Sequence, residues 1–324
     1  MGKMKMKKSV RILQVLWMAL FLTVIPGVLT AQAASLKQKG IQQNAITVQW
    51  ENPVTESYRT LKGYTVEYKK PREKSSQFRK FKDLPASATS VTITGLEAGT
   101  KYNIKVIYHY TSKYSSSNSA YLYLYDGKTL VGDIQNLVQD KWYYFINTFW
   151  AAWNHQDASS GYEYICTDSK GKTKAKGTVT TNRVEVQKIK NTMIYSFKVR
   201  AFTTYEGKKY YGKWSKPIYC FTQPRIKSAK VKSKKLAVKW DKVSGATGYA
   251  IYVSTKEKTG YKLVKTVSAK KGSAKIKKLN GKKFKKKKKY YVYVQTLKKV
   301  DGRVSTSGQL YFWNTKNSSY GYLN

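Results

Sequence analysis

Proton transfer and metal binding need histidines, acids or thiolates that converge, and this chain is poor in them. It carries two histidines, His109 and His155, and 17 acids against 62 lysines and arginines. The histidines lie in different segments and read as surface or loop residues rather than general bases. No H-E-x-x-H, G-x-S-x-G or Gly-rich phosphate loop occurs. Glycoside hydrolysis needs two carboxyls meeting in a cleft, and calcium needs clustered oxygens; the acids here are scattered. No catalytic, cofactor-binding or metal-binding residue is assigned, no cofactor is expected, and the chain is read as a non-enzyme.

What the chain has in excess is positive charge, +45 overall. Asn280 to Lys289 holds seven lysines: Lys282, Lys283, Lys285, Lys286, Lys287, Lys288 and Lys289. Residues 223–316 carry 28 basic and 3 acidic side chains, a net +25, whereas residues 34–222 carry +15. Such a field attracts polyanions, so the expected partners are an anionic cell-wall polymer or an acidic polysaccharide, with room for a protein partner. Nucleic acid is disfavoured because base-reading signatures are missing. Lysine is a point charge with little geometric selectivity. The run therefore reads either as a solvated, mobile loop or as an adhesive patch, and the two are compatible.

Exposed aromatics are a second route to binding, because sugar rings stack on them. The candidates are Trp142, Trp150 and Trp214. Trp150 points opposite to Trp153, and Trp142 and Tyr144 share its parity if their strand stays regular. The alternative is packing between repeats, or cross-strand aromatic pairs that only stabilise a sheet.

The elements that position these residues repeat three times. Ile46-Thr-Val-Gln-Trp50, Phe149-Trp-Ala-Ala-Trp153 and Leu236-Ala-Val-Lys-Trp240 each alternate as a half-buried strand does. Each leads to a Gly-Tyr pair, at Tyr64, Tyr162 and Tyr249. Further on come two apolar positions three apart, Ile93 and Leu96, Val186 and Ile189, Ile276 and Leu279. A Tyr-x-apolar-x-Val strand follows, beginning at Tyr102, Tyr195 and Tyr290. The last apolar residue precedes that tyrosine by 6, 6 and 11 positions, which places a five-residue insertion, the lysine run, in the third copy. The expected core is Trp50, Tyr64, Leu96, Tyr102, Trp153, Tyr162, Tyr195, Trp240, Tyr249, Leu279 and Tyr290.

Leu96-Glu-Ala-Gly-Thr-Lys-Tyr102 resembles the corner before strand F of a fibronectin type III domain. Trp50 resembles the family's strand B tryptophan and Tyr64 its strand C tyrosine. Trp240 with Gly245-Ala-Thr-Gly-Tyr249 is similar to repeats in secreted proteins of Gram-positive bacteria. The resemblance implies an all-β chain of three tandem fibronectin-type-III-like, immunoglobulin-like β-sandwiches. The boundaries are residues 34–129, 130–222 (divergent) and 223–316 (strongly basic), with a tail over 317–324. The family's Arg-Gly-Asp tripeptide is absent. In this fold Cys166 and Cys220 fall on strands C and G, about 9.5 Å apart across strand F, whereas a disulfide needs Cα atoms within about 7 Å. Buried free thiols are expected, with pairing left open.

Basic residues from Lys3 to Arg11, an apolar run from Ile12 to Leu29 and Ala31-Gln32-Ala33 read as a signal peptide over residues 1–33. Its removal leaves +40 on residues 34–324 and no second apolar run, hence no transmembrane segment in the mature chain. The expectation is a secreted, extracellular binding or adhesion module, retained non-covalently at a cell surface by its basic third repeat. A carbohydrate-binding accessory protein and a purely structural spacer are the alternatives.

Overall fold

The computed structural model describes residues 35–143 and 147–323; the leader expected at 1–33 and Tyr144 lie outside the described residues. Among the described residues there is no α-helix; apart from one 3-10 turn at Ser75–Gln77, regular structure is antiparallel β-sheet.

The first unit contains β1 (Lys37–Ile41), β2 (Ala45–Gln49), β3 (Arg59–Lys69), β4 (Arg79–Pro85), β5 (Ser90–Thr94), β6 (Lys101–Ser112) and β7 (Ser115–Lys128). Sheet β1-β2-β5 faces sheet β4-β3-β6-β7. The second contains β8 (Val138–Tyr143), β9 (Thr148–Ala152), β10 (Gly161–Asp168), β11 (Thr173–Val179), β12 (Arg183–Val186), β13 (Tyr195–Tyr205), β14 (Lys208–Tyr211) and β15 (Ile218–Cys220). Here β12-β9-β8 faces β11-β10-β13, and β13 also pairs with β14 and β15. The third contains β16 (Ile226–Lys232), β17 (Lys235–Trp240), β18 (Gly248–Ser254), β19 (Lys262–Ser268), β20 (Ser273–Ile276), β21 (Lys278–Leu279), β22 (Lys282–Lys283), β23 (Tyr291–Val300), β24 (Arg303–Thr306), β25 (Tyr311–Asn314) and β26 (Ser319–Tyr322). Its two main sheets are β16-β17-β20 and β19-β18-β23-β25-β26, with β21-β22 as a separate hairpin. Residues 319–322, expected in a tail, thus belong to the third sandwich. The Tyr320 ring packs edge-on against Trp313, with centroids 4.9 Å apart.

Each unit closes its own core around one tryptophan–tyrosine pair. Trp50–Tyr64, Trp153–Tyr162 and Trp240–Tyr249 meet edge-on with centroids 5.2, 5.2 and 5.4 Å apart. That geometry suits the ring quadrupoles. All eleven residues expected in the core are buried.

The same corner is built three times before the long strands β6, β13 and β23. The hydroxyl of Tyr102 accepts the Glu97 N–H at 2.9 Å, that of Tyr195 the Lys190 N–H at 2.7 Å, and that of Tyr290 the Lys285 N–H at 3.0 Å. One residue earlier, an apolar plug donates its N–H to the residue before the tryptophan strand: Leu96 to Asn44, Ile189 to Asn147 and Phe284 to Lys234. The counterpart of Leu96 and Ile189 is therefore Phe284, not Leu279. Phe284 is 2% exposed and packs against the Tyr290 ring at 4.9 Å. This corrects the placement of the insertion. The extra residues are the β21–β22 hairpin upstream of Phe284, turned at Asn280 and Gly281, both with positive φ (49° and 76°), as an Asn-Gly hairpin turn requires. Lys285 to Lys289 form the corner itself rather than a loop outside the framework.

The units are joined at that corner. Ala158 N–H donates to Gly99 O at 2.9 Å. At the next joint Ser244 N–H donates to Thr192 O at 2.8 Å and Ile194 N–H to Ser244 O at 2.9 Å. Ile194 and Phe221 of the second unit are part of the third unit's buried core. In both joints the corner of one sandwich meets the segment after the tryptophan strand of the next.

Candidate functional site

The third corner is the most charged place in the chain. Lys282, Lys283, Lys285, Lys286, Lys287, Lys288 and Lys289 are all exposed, while Phe284 and Tyr290 between and after them are buried. Burial of Phe284 anchors the segment, so the lysines are carried on a corner pinned to the core. Beside it the turn between β16 and β17 is made by Ser233 and Lys234, with φ of 47° and 57°. The turn and the corner enclose a groove of about 1020 Å³ lined by Lys230, Val231, Lys232, Ser233, Lys234, Lys282, Lys283, Phe284, Lys285 and Lys286. Seven ammonium groups thus border an apolar floor, with no carboxylate in the lining. None of the seven takes part in an ion pair among the described residues.

The aromatic candidates of the second unit do not come together. Trp150 lies on the outer face of β9, half-buried under the Arg183 guanidinium at 4.3 Å. Trp214 lies beside the outer face of β13, with Arg200 at 4.7 Å and Lys198 at 4.9 Å. Trp142 does not share Trp150's face: it stands opposite Phe149 in the ladder and stacks on that core ring at 5.6 Å. The reason is that β8 and β9 are two antiparallel strands rather than one: their register sets Lys141 opposite Trp150 and Trp142 opposite Phe149, and directly opposed residues share a face. The Trp142 indole N–H is spent on Asn191 Oδ1 at 2.8 Å.

A better aromatic surface lies in the first unit. On edge strand β7, Tyr121 and Tyr125 are 63% and 71% exposed, and Tyr123 between them lies 6.3 Å and 4.2 Å from their rings. Leu122 and Leu124 turn inward onto the core. The Tyr-Leu-Tyr-Leu-Tyr alternation is the signal that sequence reading passed over.

The remaining reactive groups are structural. Cys166 and Cys220 are free and buried, standing opposite Phe197 and Tyr195 on either side of β13. Burial pushes the Cys166 thiol up to about 12 and raises Cys220 well above its ordinary value, so neither supplies a thiolate near neutrality. His109 Nε2 lies 3.0 Å from Thr65 Oγ1, and exposed His155 lies 3.5 Å from the Asp157 carboxylate. Among the described residues no three His, Cys, Asp or Glu side chains converge as metal ligands would, and no helix is long and apolar enough to cross a membrane.

Comparison with known proteins agrees with the first corner. The family described as fibronectin type III domain matches residues 32–124. No curated protein matches the chain. Among solved structures, the chicken CNTN1 FN1-FN3 domains are 16% identical, covering 86% of this chain and 96% of that one with a TM-score of 0.34. The two fibronectin type III domain segment of chicken tenascin is 19% identical, covering 57% of this chain and 95% of that one with a TM-score of 0.29. At those scores the architecture stands on the sheets and corners themselves. Residues 32–124 are a fibronectin type III domain, and two further sandwiches built on the same corner follow it.

Proposed function

We propose that this protein is a non-catalytic extracellular binding module that adheres to anionic polymers through its third sandwich. One observation carries the reading: seven unpaired lysines border one groove on a corner that the core holds in place. The secretory reading of residues 1–33 supports an encounter with wall polymers or acidic glycans rather than nucleic acid. The aromatic reading moves from the second unit to the Tyr121–Tyr125 ladder of the first, where neighbouring rings are exposed together; it describes an auxiliary contact, not the main attachment. The test is retention of the full chain on a polyanion resin across a salt series. Exposed charge interactions decay over about 10 Å at 0.1 M salt and 3 Å at 1 M, so retention should collapse between those limits. Retention that survives 1 M salt and yields to soluble neutral glycan would replace the electrostatic reading with the aromatic one.

A further inference from the structure

The lysine groove continues onto a sheet face. In β16-β17-β20, residues Ala229, Leu236, Val238, Ala274 and Ile276 point into the core. Strand alternation then sends the intervening side chains outward. The register sets Lys230 opposite Ala237, and Ala237 opposite Lys275. It sets Lys232 opposite Lys235, and Lys239 between Ser228 and Ser273. Lys230, Lys232, Lys235, Lys239 and Lys275 are all exposed. None of them takes part in an ion pair among the described residues. At the centre stands Ala237, too small to fill the space between the lysine rows.

This arrangement works against the fold. Like charges directly opposite on a sheet are destabilising, and no carboxylate on the face relieves Lys232 against Lys235. A bound polyanion would relieve it. Along each strand same-face residues repeat every ~6.7 Å, and neighbouring strands lie ~4.8 Å apart. Charge is therefore presented as a two-dimensional grid rather than at one point. Lys230 and Lys232 belong both to this face and to the groove, so the two surfaces are continuous.

We infer that the ligand is an extended linear polyanion, which lies across the outer face of β16-β17-β20 and runs on into the groove. A compact anion would engage the corner alone. The inference rests on the polyanion reading above and adds the requirement for length.

Polyphosphate of defined length is the probe, with tripolyphosphate as the compact form, and binding to the full chain is measured at several salt concentrations. Affinity should climb with chain length well beyond the tripolyphosphate and level off once the track is spanned. A Lys235→Ser/Lys239→Ser/Lys275→Ser variant changes the face without touching the groove. It should bind the long polymer on the order of tenfold more weakly, with a salt slope shallower by up to about 2, since each lost contact on a single strand removes ~0.7. Its tripolyphosphate binding should be unchanged. A Lys256→Ser/Lys262→Ser/Lys299→Ser variant removes the same charge elsewhere and should keep the length dependence. Thermal melts of both variants confirm folding. Equal binding of long and short chains, or identical loss in the two variants, overturns the track while leaving the groove standing. No polyphosphate binding by the parent chain at low salt overturns both.

Discussion

The corners of the first two sandwiches and that of the third share one skeleton and serve different ends. In each, a buried plug, five residues and a tyrosine are tied by the same two hydrogen bonds: Leu96 to Tyr102, Ile189 to Tyr195, Phe284 to Tyr290. The five residues between are Glu-Ala-Gly-Thr-Lys, Lys-Asn-Thr-Met-Ile and five lysines. In the first two cases that stretch meets the next sandwich, through Gly99 and through Thr192 and Ile194. In the third it holds a cluster of like charges. The plug and the tyrosine set the backbone, which leaves the intervening side chains free to specify a joint or a ligand surface.

The sharpest way to break this comparison is to remove the third plug. Phe284→Ala should cost the third sandwich about 3–5 kcal/mol, the range for truncating a buried aromatic ring, and Trp240→Ala should cost as much. Urea unfolding followed by the third unit's transition checks both. A Phe284→Ala protein as stable as the parent would restore Leu279 as the corner residue and return the lysines to a peripheral loop. For the same reason, cutting out Lys282 to Lys289 would not probe charge alone, because Phe284 goes with them.

How far the sequence could be read depended on whether a feature is local. Ile46-x-Val48-x-Trp50 and its copies declared their faces by alternation, and the tryptophan–tyrosine cores followed. Leu279 and Phe284 were different. Spacing from Ile276 favoured Leu279, spacing to Tyr290 favoured Phe284, and only the Tyr290 hydroxyl on the Lys285 amide decides between them. Trp142 was misplaced because parity was counted along one regular strand, whereas β8 and β9 fold back on each other in a register that sets Trp142 opposite Phe149. The lysine grid was invisible because it exists only once β16, β17 and β20 are in register; Lys230, Lys239 and Lys275 lie far apart along the chain.

The next effect separates charge from framework. Changing Lys285 through Lys289 to serine keeps Phe284 and Tyr290, and all five side chains are exposed. Each exposed substitution should move the third sandwich's stability by no more than about 0.5 kcal/mol, the usual reach of a surface change. Polyanion retention at 0.1 M salt should fall at least tenfold. Unchanged retention would place the binding surface away from the corner.

The joints test the other side of the comparison. Gly99 has φ of 66°, and a Cβ there would come 2.3 Å from Gln156 Oε1. Gly99→Ala should therefore disturb the first joint and cost roughly 1 kcal/mol or more, with a changed scattering profile of the full chain. Lys287 occupies the equivalent corner position in the third sandwich, and Lys287→Ala should alter neither stability nor shape. Equal behaviour of the two variants would mean that the first corner holds nothing.

The smallest expected effect concerns the few acids that a strongly basic sandwich retains. Asp241 ends the tryptophan strand of the third unit, with Arg225 Nε at 3.0 Å and Lys227 Nζ at 2.7 Å from its carboxylate oxygens. Burial pushes its carboxyl up, but the bonds from Lys227 and Arg225 outweigh that and hold it below the ordinary value of 3.8. A carboxyl depressed in the folded state contributes stability that is fully present above the unfolded value and is lost as pH falls through the folded one. Both cations are more than half exposed, so the contribution at neutral pH is at most about 1 kcal/mol. Asp241→Asn should lower the urea midpoint of the third unit slightly at pH 7. The difference should shrink as pH falls below the ordinary carboxylate range, because the parent's carboxyl is progressively protonated. A variant that loses as much at pH 2 as at pH 7 would show that Asp241 acts through its backbone setting and not through its charge.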